Sequence, residues 1–456
     1  MPRTSDEQPA GGDGEDQHTV IVIGDGDVSE ETAEALKASG ARVSRLPQPS
    51  EGDVREALEG DADSVVVVAR SDAIVLRMAL MVRAVSEEVP LLLTIFDETM
   101  ANAARKWSNT QVTSLADIVA PSLAGPCIAE RFTAVSVNGD PPVGLVDSDG
   151  EITEEPIPPH KPHRIQALAR DLFTPYDKDA GLVLYGAIGL LAVLLIETVT
   201  SVFVLDQSLV DATYGSAKTL VSVDPNLKVS VGPSWYKIFI SASMLVALVF
   251  VAGFTAGLVN RVTDRRLTGL LGRRAVPRRD HVVVVGLGQV GLRLCMLLRA
   301  CGVPVVAVEK DGDAENVGLA KELGLPVVVG RGADRSLMGR LSLPKAKAVA
   351  AVTDDDLANI SAAMTARAVD DEMRVLVRVG DGDVATETRS LLALGLVRDV
   401  HRIGATLLAA MALGKEPESV VCVGDDAHLR FPDGHLEAAA FDTLEGSGGG
   451  DGESGP

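Results

Sequence analysis

HVVVVGLGQVGLRLCMLLRACGVPVVAVEK, residues 281–310, opens with four consecutive valines, turns on glycines, continues with apolar residues three and four apart, and ends in a second valine-rich run. That order reads as buried strand, tight turn, amphipathic helix and buried parallel strand, the βαβ unit of a doubly wound sheet. The turn is Gly286-Leu287-Gly288-Gln289-Val290-Gly291, and Glu309, followed by Lys310, closes the second strand. A GxGxxG pattern matches many loops by chance. Between a strand and a helix, with an acid at the end of the next strand, it has the context a dinucleotide site requires.

Each residue type has a physical task. Gly286 permits the tight turn, Gly288 lets backbone approach a pyrophosphate, and Gly291 lets the helix pack closely on the strand, so that the helix start at Gln289 and Val290 faces the anion. A carboxylate at Glu309 accepts hydrogen bonds from ribose hydroxyls and repels a 2′-phosphate. The expected ligand is therefore NAD(H) or ATP/ADP, not NADP. Downstream, LPVVVGRGADRSLM, AKAVAAVTDDDLANI and RVLVRV supply further strands. Gly332, Asp334, Thr353 and Asp355 fall at strand carboxyl ends, where such sheets bind ligands, and Asn359 opens the next helix. Asp354, Asp355 and Asp356 equally suit a helix N-terminus as caps.

Two other stretches set the environment. Residues 181–205 hold one ionisable group, Glu197, and residues 238–259 hold none. At about 1.5 Å per residue each is long enough to cross a hydrocarbon core of roughly 30 Å. Seven arginines between Arg261 and Arg279, against Asp264 alone, place that end in the cytoplasm of a cell-membrane protein, and Lys161, Arg164, Arg170 and Lys178 place the start of the first span on the same side. Both termini are expected inside, and the arginines also suit anionic lipid headgroups. Glu197 is expected to face the helix bundle or a water-filled path.

Between the spans, residues 211–226 read as a re-entrant segment, DATYGSAKTLVSV followed by Asp224-Pro225-Asn226. Thr219, Ser222, Asp224 and Asn226, with Glu197, are the candidate pore residues for a monovalent cation. Pro225 fixes its own φ and restricts Asp224, so a stack of carbonyl rings is not expected there. The expectation is a weakly selective pore with a ring of Asp224 carboxylates, or a closed one.

The net charge of -22 argues against nucleic acid as a partner. Cys127, Cys295, Cys301 and Cys422 form no CxxC pair, which argues against zinc and against a disulfide framework. The first residues, MPRTSDEQPAGGDGEDQ, lack the basic start and apolar core of a secretory signal. His281 and His401 are the only histidines near the glycine domain and are expected at the surface, so no proton donor for hydride chemistry is identified and no enzyme activity is expected.

Taken with GLGQVG and Glu309, the motifs GRGAD at Gly330–Asp334 and AVTDDDLAN at Ala351–Asn359 make residues 279–413 similar to the nucleotide-binding subdomain of the RCK family, regulators of K⁺ conductance in potassium channels and Trk/Ktr uptake systems. The resemblance implies NAD(H), ATP or ADP binding, assembly into cytoplasmic rings, and gating of an attached pore as a homotetramer. The family's usual C-terminal ligand-binding subdomain is expected to be missing.

An internal repeat extends the pattern to the N-terminal segment. HTVIVIGDGDVSEETAEALKASGARVSRL repeats strand, glycine turn, helix and strand, and Arg83-Ala84-Val85 falls on Arg367-Ala368-Val369. This copy keeps Gly24 and Gly26, but Ser29 replaces Gly291, Pro47 falls near the place of Glu309, and Asp25 and Asp27 put acid where phosphate would bind. It reads as a partner domain without a nucleotide. The expected organisation is an acidic tail (1–17), a degenerate Rossmann-like domain (18–136), a linker (137–180), an all-α two-helix pore-like domain (181–260), a basic linker (261–280), a nucleotide-binding Rossmann domain (281–413) and a C-terminal extension (414–456). The function expected is a nucleotide-regulated ion channel-like protein. The alternatives are a non-conducting membrane sensor and, more remotely, an NAD-dependent oxidoreductase.

Overall fold

The computed structural model describes residues 17–137, 139, 141–148, 151–158, 178–220, 229, 232–263, 279–380, 395–424 and 426–439. The candidate pore residues Ser222, Asp224 and Asn226 lie outside them, as do the side chains of the arginines from Arg261 to Arg278. The chain forms two compact units, one made of residues 1–160 with 276–456 and the other of residues 161–275.

The first unit holds both Rossmann-like halves. In the first half, β1 (Thr19–Ile23), α1 (Asp27–Ala38), β2 (Arg42–Leu46), α2 (Glu51–Leu58), β3 (Ser64–Val67), α3 (Asp72–Val85), β4 (Leu91–Thr94), α4 (Glu98–Ala104) and β5 (Thr110–Thr113) build a parallel sheet of order β2-β1-β3-β4-β5. Then follow α5 (Leu115–Ile128) and an antiparallel sheet of β6 (Phe132–Ser136), β7 (Val143–Ser148) and β8 (Glu151–Pro156).

The other unit contributes three helices, α6 (Lys178–Leu205), α7 (Leu209–Leu220) and α8 (Ser234–Thr263). The second half then repeats the first: β9 (Val282–Val285), α9 (Gln289–Ala300), β10 (Val305–Glu309), α10 (Glu315–Glu322), β11 (Val327–Val329), α11 (Arg335–Arg340), β12 (Ala348–Ala351), α12 (Asp356–Val369), β13 (Val375–Val379) and β14 (Leu396–Asp399). Its parallel sheet has the order β11-β10-β9-β12-β13-β14. Helix α13 (Val400–Ala412) leads into a second antiparallel sheet of β15 (Ser419–Val423), β16 (Asp426–Arg430) and β17 (Leu436–Ala438).

The repeat therefore runs further than the sequence reading allowed. Residues 137–180 are not only a linker, because β7 and β8 lie there, and residues 414–456 begin with a folded sheet. Alternation such as VGLVDS and SVVCV is short, and its burial depends on the other half, so the pattern carries little local signal. The shorter middle of the first half has a simple cause. It passes from α2 directly to β3, with no counterpart of β11 and α11.

Each half lends its last helix to the other. Helix α5 packs on α9 and on strands β12 and β13, while α13 packs on α1 and on β3 and β4. Past Asp117, every residue of α5 is buried, including Pro121 and Pro126, which explains a helix apolar on all sides. The exchange is pinned at both helix ends, where Ser64 Oγ donates to Ala412 O at 2.8 Å and Arg374 donates to Pro126 O at 3.3 Å. One hydrophobic core runs through both halves, joining Val20, Leu36 and Leu123 to Val284, Leu294 and Leu408.

In the other unit, the apolar spans are Val183–Leu205 and Ser234–Val259, and the helices that carry them extend beyond the limits 181–205 and 238–259 expected from hydropathy. Helices α6 and α8 approach closely through small residues. A Cβ on Gly189 would lie 2.3 Å from the Phe250 ring, and one on Gly186 2.9 Å from Phe254 Cβ. Their outer faces are apolar and open, with Phe203 83% exposed and Ile238 71%. Such a surface is at home in lipid, not in water.

Candidate nucleotide-binding site

The glycine turn between β9 and α9 has the geometry its sequence predicts. Gly286 has φ +97°, and a Cβ there would lie 2.8 Å from Thr353 N. A Cβ on Gly291 would sit 2.0 Å from Gly286 O, so only glycine lets α9 pack so closely on the turn. Gly288 differs from both. It is the N-cap of α9, no side chain caps the helix, and a Cβ there would meet nothing within 4 Å. The first amides of α9, including those of Gln289 and Val290, thus face open space at the positive end of a helix, a suitable seat for a phosphate.

Glu309 stands beside that opening. Its carboxylate accepts from Leu287 N at 2.8 Å and from Asp311 N at 3.2 Å, tying the end of β10 to the glycine turn. Lys310 is exposed next to it. Thr353 backs Gly286, and its amide and hydroxyl both donate to Asn359 Oδ1, at 2.8 and 2.7 Å. Asn359 is fully buried, and its amide donates to Thr353 O and Arg378 O at 3.0 Å each. It holds the ends of β12 and β13 together behind the turn.

The remaining candidates have local partners. Asp355 caps α12 by accepting from Ala358 N at 3.0 Å, and Asp356 accepts from Gly380 N at 3.1 Å. Asp334 caps α11 through Ser336 N at 2.8 Å, and the hydrogen bonds from Ser336 and Leu337 hold its carboxyl below the usual carboxylate range. A Cβ on Gly332 would strike Val285 Cγ1 at 2.4 Å, so that glycine serves close packing behind β9. The structure thus gathers Gly286, Gly288, Gln289, Val290, Gly291, Glu309 and Thr353 around one opening and leaves the others as caps and supports.

The two histidines correct the sequence reading, since neither lies at the surface. His281 is fully buried, its Nε2 is 3.0 Å from Leu341 O, and burial pushes its pKa down to about 4. His401 is 9% exposed, and its pKa is lowered first by burial and then by Arg378. Short strands and a crossing helix bury them, which a one-residue reading of their flanks does not show. Sequence reasoning also passed over Arg293. This residue of α9 meets Asp117 of α5 in a two-point ion pair, Nε to Oδ1 at 2.5 Å and Nη2 to Oδ2 at 3.1 Å, with Phe96 beneath its guanidinium. Its partner is 176 residues away, and nothing local signals it.

The first half has a similar turn with an equally open Gly26, but with different groups around it. Ser29, in the place of Gly291, donates to Gly24 O at 2.7 Å. Strand register puts Ile23 opposite Leu46 and Val285 opposite Val308, so Pro47 occupies the position of Glu309. Asp25 accepts from Gln48 at 2.9 Å, and Asp27 faces Arg70 at 3.5 Å, where a phosphate would otherwise approach.

In the membrane-type unit, Glu197 is 1% exposed among the three helices of one chain. Ser243 of α8 and Thr219 of α7 hydrogen-bond its carboxyl, and Ser201 and Tyr236 share a hydrogen bond of 2.7 Å nearby.

Two doubly wound parallel sheets, one with an open glycine turn and an adjacent carboxylate, define a Rossmann-type protein, and two apolar helices lie between the sheets in the chain. Residues 282–395 of its second half match the family model of the TrkA-N domain. Among solved structures, the chain is similar to the GsuK RCK domain, at 14% identity over 88% of this chain and 78% of that one, with a TM-score of 0.47. It is also similar to the GsuK channel bound to NAD, at 14% identity over 88% of this chain and 64% of that one, TM-score 0.48. The TrkA-N domain of the inner membrane protein ybaL from Escherichia coli aligns at 23% identity over 29% of this chain and 96% of that one, TM-score 0.26. No curated protein matches the chain.

Proposed function

We propose that the protein is a nucleotide-regulated, ion-channel-like membrane protein of the potassium-transport type. NAD(H) or ATP/ADP bound at Gly286–Gly291 and Glu309 biases a homotetrameric pore that passes a monovalent cation. The observation that carries this reading is the surroundings of Gly288: an uncapped helix start with open space before it, beside a carboxylate, Glu309, that can bond a ribose and whose place in the first half is taken by Pro47. In this reading the ligand is sensed and not turned over. The two apolar helices cross the cell membrane with both termini in the cytoplasm, and the arginines from Arg261 to Arg279 meet anionic lipid headgroups.

Calorimetry with NADH and with ATP on the purified chain tests the ligand. Glu309→Ala should weaken binding by about 1.5–3 kcal/mol, the range for hydrogen bonds to a charged group. Equal affinity in both proteins would remove Glu309 from the site. Liposome flux under K⁺ and Na⁺ gradients, with and without nucleotide, tests the pore. Nucleotide-dependent flux without strong K⁺ preference is expected from Asp224-Pro225-Asn226. The absence of flux under every ligand would favour a non-conducting sensor.

A further inference from the structure

The two exchanged contacts between the halves are equivalent, but their charges are reversed. Helices α1 and α9 are both twelve residues long, and both start one residue after a glycine, so Glu31 and Arg293 occupy the same fifth position. Helices α5 and α13 follow N-caps Ser114 and Asp399, so Asp117 and Arg402 share the third position. In the structure α9 receives α5, and Arg293 meets Asp117. In the reciprocal contact α1 receives α13, and there burial and Asp399 outweigh Arg402 and hold the Glu31 pKa up.

We propose that Arg293, Asp117 and Arg402 make the second half select the crossing helix of the unlike half and reject its own. If the second half received its own crossing helix, taken from another copy of the chain, Arg293 would face Arg402. Guanidinium groups stay charged at any physiological pH, so that repulsion has no escape by titration. If the first half received its own helix, Glu31 would face Asp117, and because burial already holds the Glu31 pKa up to about 8, little repulsion arises there. The discrimination therefore acts most strongly on the nucleotide-binding half. The receiving faces differ in size, α1 burying Ser29, Thr32 and Ala33 and α9 burying Leu292, Leu294 and Leu298, and a like charge pair against an opposite pair adds to the selection that packing provides.

The reporter for the test is a cysteine pair, Glu130→Cys and Lys347→Cys, in the full-length chain. Both positions line one surface cleft between the halves, and the four native cysteines are buried. A short bis-maleimide should link the two cysteines within a single chain. Adding Asp117→Arg and Arg402→Glu makes both unlike contacts repulsive and both like contacts attractive, and the linking rate should fall about tenfold or more. Adding Glu31→Arg and Arg293→Glu to that background restores opposite charges at both unlike contacts, and the rate should recover. Linking at the original rate in the two-substitution chain would overturn the proposal, and so would failure of the four-substitution chain to recover.

Discussion

The two glycine turns of this chain both start a helix at an uncapped glycine with open space before it, and differ in the side chains that border that space. In the second half Gly288 opens onto nothing within 4 Å, and Glu309 stands beside it. In the first half Gly26 is equally open, but the groups that border it are different. Ser29 bonds back to Gly24 O, Asp27 faces Arg70, and Pro47 sits where the carboxylate would be. A Rossmann half can keep its sheet, its crossing helix and its antiparallel sheet while the groups around its turn change. The fold depends on apolar burial along the strands, whereas a site depends on the few side chains that border the turn.

The largest effect that separates the two turns is expected at Gly291. Gly291→Ala places a Cβ 2.0 Å from Gly286 O, a backbone atom that cannot rotate away, and should cost about 3 kcal/mol of stability. Denaturant unfolding of the detergent-solubilised chain measures it. A loss below about 0.5 kcal/mol would mean that α9 is free to shift outward.

A smaller effect belongs to the first half, at Glu31. Burial, with Asp399 next in weight, pushes its pKa from 4.5 up to about 8. A carboxyl whose pKa is raised by folding holds its proton better in the folded chain. Stability is therefore greatest below pH 4.5, falls as pH rises, and reaches its full loss above about pH 8. Glu31→Gln removes that loss. The variant should exceed wild type by about 1–2 kcal/mol at pH 9, after allowance for partial exposure of the group, and the gap should close towards pH 5. Thermal unfolding across that range would break the assignment if the difference did not change with pH.

Much of this was legible in the sequence for a definite reason. Runs such as VVVV and VVAVE are buried parallel strands, and glycines at fixed spacing on either side of a helix start admit few other structures. The repeat was visible because α1 and α9, and likewise α3 and α12, have equal lengths. What stayed hidden was non-local. The antiparallel sheets at 143–156 and 419–438 are built from strands of three to six residues, and the burial of His281 and His401 depends on distant packing. Asp334, Asp355 and Asn359 were placed correctly at strand ends and helix starts. The sequence could not separate a ligand contact from a cap, because both use the same carboxylate and amide chemistry.

The central claim is that one turn binds nucleotide and the other does not. Isothermal titration of the full chain with NADH should give one site per chain. Gly288→Ala should leave the unfolding midpoint unchanged, because its Cβ meets nothing in the empty turn, and should weaken binding at least about tenfold by occupying the phosphate's approach. Two sites per chain, or wild-type affinity in Gly288→Ala, would contradict the account.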